Sequence, residues 1–68
     1  MNLSTTLQKF ISNSETAILN LTKHIESNNI DLEVFPCKFL ESRNLKYRNE
    51  LQSIEAEVLK AQAVLKSL

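Results

Sequence analysis

LESRNLKYRNELQSIEAEVLKAQAVLKSL, residues 40–68, decides the fold. Leu40, Tyr47, Ile54, Ala61 and Leu68 recur every seven residues, and Leu51, Val58 and Leu65 interleave with them. Alternating steps of four and three keep these side chains on one side of an α-helix, the pattern of a helix pressed lengthwise against another helix. Such a stripe is a packing surface and contains no reacting group.

Upstream, Leu7, Ile11, Ile18, Leu21 and Ile25 keep the same rhythm, with Ser14 in one slot and Phe10 at the flank. They define a first helix over about residues 3–27. Ser4 is a candidate N-cap because its hydroxyl can accept from the free amides of the first turn, and Asn2 would serve nearly as well. Ser27-Asn28-Asn29 is the expected break, since asparagine tolerates the left-handed conformation that ends helices where glycine is absent.

Residues 28–35 then read as the turn, with Ile30, Leu32, Val34 and Phe35 plugging that end. Pro36 has no amide hydrogen and suits a first helical position, so the second helix is expected over about residues 36–66. Two amphipathic helices joined by a short connection form an antiparallel αα-hairpin. The expected fold is therefore all-α: one helical-hairpin domain over residues 1–68, coiled-coil-like, completed by a partner or by self-association.

Composition agrees. Glycine is absent and proline occurs once, which leaves little turn chemistry for strands. A chain this short buries only about 60% of the surface its unfolded form exposes. One cysteine cannot form an internal disulfide, and with one histidine it cannot build a structural zinc site, so support falls to packing or association.

The chain carries no net charge, with −2 before residue 36 and +2 after it. Nucleic-acid binding draws on clustered Lys and Arg in excess, so no nucleic acid is expected as a partner. Lys38, Arg43, Lys46 and Arg48 form a basic segment interrupted by Glu41, which reads as a solvated face with helix pairs such as Lys46 and Glu50. No run approaches the ~20 apolar residues of a membrane span. The amino-terminal residues lack the apolar core of a signal peptide, and with a lone cysteine this points to a reducing, cytoplasmic location.

No phosphate loop, metal-ligand spacing or nucleophile constellation occurs, and the expectation is a non-catalytic protein with no cofactor and no metal. Cys37 heads the second helix, but no base is positioned beside it in the sequence. His24 reads as a surface residue near a helix end. Tyr47 reads as core, with its hydroxyl at the rim. Asn44 falls in the seam, where a polar group can fix register or partner number, unless it sits at a frayed, wet end.

The side of the second helix opposite its seam is not purely polar. Leu45, Gln52, Ala56, Leu59 and Ala63 share it, and small and apolar side chains there let another helix approach closely. Leu45 and Leu59 read either as ordinary isolated surface leucines or as part of a second contact face, with the helix sandwiched between the first helix and a partner. These five residues are the candidate partner-binding set.

The layout of a helix of roughly 25 residues, a short break and a longer helix, with Phe39-Leu40, Tyr47 and the run Leu51-Gln52-Ser53-Ile54-Glu55-Ala56-Glu57-Val58-Leu59, resembles the small co-chaperones of type III secretion needle subunits, the YscE/PscE/SsaE-like proteins. That resemblance implies a cytoplasmic αα-hairpin that stabilises a helical-repeat chaperone, the pair keeping a virulence-associated needle subunit soluble before export. The alternative class is a structural subunit of a coiled-coil tethering or cytoskeletal adaptor complex. A homodimer is expected for the chain alone.

Overall fold

The computed structural model describes residues 2–68 and forms two helices, α1 (Leu3–Val34) and α2 (Lys38–Lys66), in an extended hairpin. Its extents are 49 × 15 × 14 Å. The helices run antiparallel, as two cross-links show: Asn29 meets Asn44 and His24 meets Tyr47, so position falls along α1 as it rises along α2. Extending that register sets Leu21 level with Leu51, Ser14 with Val58 and Ile11 with Ala61.

Burial follows the heptads of both helices. On α2 the shielded positions are Leu40, Asn44, Tyr47, Leu51, Ile54, Val58, Ala61 and Leu65, an unbroken alternation of four and three. On α1 the matching series runs Leu7, Ile11, Ser14, Ile18, Leu21, Ile25, Asn28 and Leu32. Among the described residues, only Leu21, Ile25, Val58 and Ala61 are buried apolar residues, so the core is one side chain thick.

Three boundaries differ from the sequence expectation. First, α1 does not end at Ser27-Asn28-Asn29 but continues to Val34, and no described residue has a positive φ. Asn28 and Leu32 carry the stripe onward from Ile25, and Asn29 accepts a hydrogen bond from α2, so tertiary contacts outweigh the modest helix propensity of asparagine.

Second, the stop signal is Pro36. The residue before a proline is pushed out of the helical region, and Phe35 lies at φ −139°, ψ 90°, its amide making the closing bond to the Asp31 carbonyl at 2.8 Å. The connection is therefore residues 35–37 alone, and the expected plug does not form. Leu32 is half-buried in the seam, but Ile30, Val34 and Phe35 are exposed because they lie on the outside of α1 or in the bend.

Third, α2 starts at Lys38, with Cys37 extended as its N-cap and Pro36 one residue outside it. The first bond of α2 runs from the Glu41 amide to the Cys37 carbonyl. At the other end Leu68 lies beyond the helix and is 67% exposed, so the seam stops at Leu65. Asn2, rather than Ser4, caps α1: its Oδ1 accepts from the Ser4 amide at 2.9 Å.

Candidate functional site

The five candidate binding residues all lie on α2, and all are exposed. Since α2 turns its seam toward α1, the stripe Leu45, Gln52, Ala56, Leu59 and Ala63 points away from the hairpin. Leu45 is 61% exposed and Leu59 66%, two large apolar side chains spaced by two heptads on one continuous face. Ala56 and Ala63 lie one step round the helix beside them, where their size lets a neighbouring backbone come close.

Charge borders this stripe asymmetrically. Glu41, Arg48 and Glu55 follow one edge at seven-residue spacing, and Lys46 and Lys60 follow the other. All five are exposed.

Two shallow grooves lie at the closed end of the hairpin. One, of about 410 Å³, runs along α2 between Phe39, Ser42, Arg43, Lys46 and Tyr47. Phe39 is 68% exposed and the Arg43 guanidinium sits 5.6 Å from its ring centre, a cation–π contact on an open surface. The other, of about 260 Å³, bridges the helices and is lined by Asn29, Leu32, Glu41, Asn44, Leu45 and Arg48. Leu45 thus joins the outer stripe to the mouth of the interhelical groove.

Beneath that groove lies a polar layer. Asn44, 5% exposed, donates through Nδ2 to Asn29 Oδ1 at 2.8 Å, while its own Oδ1 is buried without a partner. Leaving such an acceptor unpaired costs roughly 1–3 kcal/mol, and a lone polar residue in a helical seam fixes register at the expense of stability. One turn along, the His24 and Tyr47 rings stack at 5.7 Å with planes 26° apart. Tyr47 therefore packs its ring into the interface as expected, and His24 covers it from the exposed edge.

Sequence reasoning did not single out Phe39, Phe35, Val34 or Ile30 as surface features, yet these leave the bend of the hairpin strongly apolar. The usable signal for Ile30, Val34 and Phe39 was that none of them falls on the seam period of its helix; Phe35 does fall on it, one heptad after Asn28, but lies beyond the end of α1. Among the described residues, no group of three His, Cys, Asp or Glu side chains is arranged to hold a metal ion. No helix formed by them is long and apolar enough to cross a membrane. No protein-family model, curated protein or solved structure matches this chain.

Proposed function

We propose that this protein is a non-catalytic helical binding module that docks against a helical protein partner through the outer face of α2. The observation that carries this reading is the continuous exposed stripe of Leu45, Gln52, Ala56, Leu59 and Ala63 on a helix whose other side is already occupied by α1. A helix with i, i+3/i+4 and i+7 anchors on a free face is the ordinary means by which one helix binds in another's groove. The proposal extends to a cytoplasmic co-chaperone that stabilises a helical-repeat chaperone and helps keep a type III secretion needle subunit soluble before export, as the sequence resemblance implies.

The thin core supports the same reading. With four buried apolar residues among the described residues and a buried unpaired acceptor, the hairpin gains stability from whatever covers α2.

The test is purification of the tagged chain from its native cells, with chemical cross-linking and mass spectrometry. Recovery of a helical-repeat chaperone together with a secretion needle subunit, cross-linked through Lys46 or Lys60, is the expected result. Recovery of only tethering or cytoskeletal proteins would replace the secretion role with that of a structural subunit.

A further inference from the structure

We propose that, before its partner arrives, the outer face of α2 is covered by a second copy of this chain, with the two α2 helices parallel and in register. This deepens the reading of that face as the binding surface and rests on it.

Area comes first. The hairpin exposes 5356 Å², whereas a compact monomer of 7.8 kDa exposes about 4,400 Å². The excess of about 1,000 Å² exceeds the roughly 800 Å² that each partner gives to a stable interface. The radius of gyration agrees: it is 15.5 Å, against about 11 Å for a compact domain of this length.

Orientation follows from the heptads of the outer face. Ser42, Asn49, Ala56 and Ala63 occupy one repeat position, and Leu45, Gln52, Leu59 and Lys66 the next. In a parallel, in-register pair each residue meets its own copy: Leu45 meets Leu45 and Leu59 meets Leu59, with Asn49, Gln52 and Ala56 between them and Ala63 beyond. Asn49 meets Asn49, so each amide finds both a donor and an acceptor, which is how a lone asparagine selects this arrangement. Lys66 meets itself in the last turn, where its ammonium reaches water.

The edge charges select the same geometry. In a parallel pair an edge residue of one helix faces the opposite-edge residue five positions on in the other. Glu41 then faces Lys46 of the second copy and Glu55 faces Lys60, each twice by symmetry. An antiparallel pair that sets Leu45 against Ala63 would oppose Glu55 to Glu55 and Lys46 to Lys60. Sliding that pair by one heptad opposes Arg48 to Glu55 but leaves Asn49 against Gln52, with fewer charge pairs than the parallel form.

Sedimentation of the full chain over a concentration series should give twice the 7.8 kDa monomer mass. In a Cys37→Ser background, Ala63→Cys should form a disulfide between copies under mild oxidation. The antiparallel alternative that opposes Leu45 to Ala63 holds the two thiols about 27 Å apart along the axis. Glu41→Lys with Glu55→Lys should raise the dimer dissociation constant at least tenfold. Mixing that variant with one carrying Lys46→Glu and Lys60→Glu should restore pairing, with circular dichroism verifying that both stay helical.

A chain that stays monomeric at every concentration overturns the self-pairing, even if Leu59 still proves necessary for capture of a helical partner. A dimer that fails to cross-link through position 63 also overturns it. A parallel dimer that captures no partner upholds the self-pairing and removes the co-chaperone reading instead.

Discussion

Asn44 donates a 2.8 Å hydrogen bond to Asn29 across the two helices, and its other amide atom is buried without a partner. The pair joins the two helices at one defined level, just inside the bend. Apart from Ser14, Asn28 and the Tyr47–His24 stack, the rest of the seam is aliphatic, and aliphatic layers slide by a heptad at small cost, so this bond favours one alignment over its neighbours.

Asn44→Leu should therefore stabilise the hairpin while loosening its alignment. Removing the unpaired acceptor gives about 1–3 kcal/mol, because exposed Asn29 can turn to water. A higher urea midpoint together with extra or broadened amide resonances is the expected outcome. A lower midpoint with a single sharp spectrum would show that the bond contributes stability rather than register.

Asn2→Ala should cost about 0.5–2 kcal/mol, since it removes the 2.9 Å acceptor for the Ser4 amide. Hydrogen exchange should speed up in the first turns of α1 and stay unchanged near the bend. A uniform increase along the chain would mean that the cap is coupled to the whole hairpin.

Val58→Ala tests how thin the core is. Val58 is 8% exposed and level with the small Ser14, so shortening it leaves a gap that neither helix can fill. A loss of about 1–3 kcal/mol is expected, enough to unfold much of a chain with so few buried residues at 37 °C. Unchanged thermal melting would mean that the packing closes around the deletion.

The seam was readable in advance because its signal is local and repeated. Leu40, Tyr47, Leu51, Ile54, Val58, Ala61 and Leu65 are shielded, as their spacing requires, and so are Leu7, Ile11, Ser14, Ile18, Leu21 and Ile25. The course of the chain from Ser27 to Cys37 was not readable in the same way. Asparagine's bias toward helix ends is worth a fraction of a kcal/mol, whereas the Asn29 bond to Asn44 and the continuation through Leu32 depend on a helix 15 residues away. Pro36 carried the decisive stop, acting on Phe35 before it rather than opening the next helix after it. The outer stripe of α2 was legible as a pattern, and its exposure follows from the same heptads.

On the proposed reading the two sides of α2 have separate tasks, one folding the hairpin and the other binding. Ile54 is half-buried in the seam and Leu59 points outward. The direct measurement is circular dichroism beside capture of the co-purifying helical partner for Ile54→Glu and Leu59→Glu. Ile54→Glu should lose helicity, by forcing an unpaired charge toward the seam, while Leu59→Glu should keep its helicity and bind the partner at least tenfold more weakly. Equal loss of helicity in both variants, or full partner capture by Leu59→Glu, would contradict it.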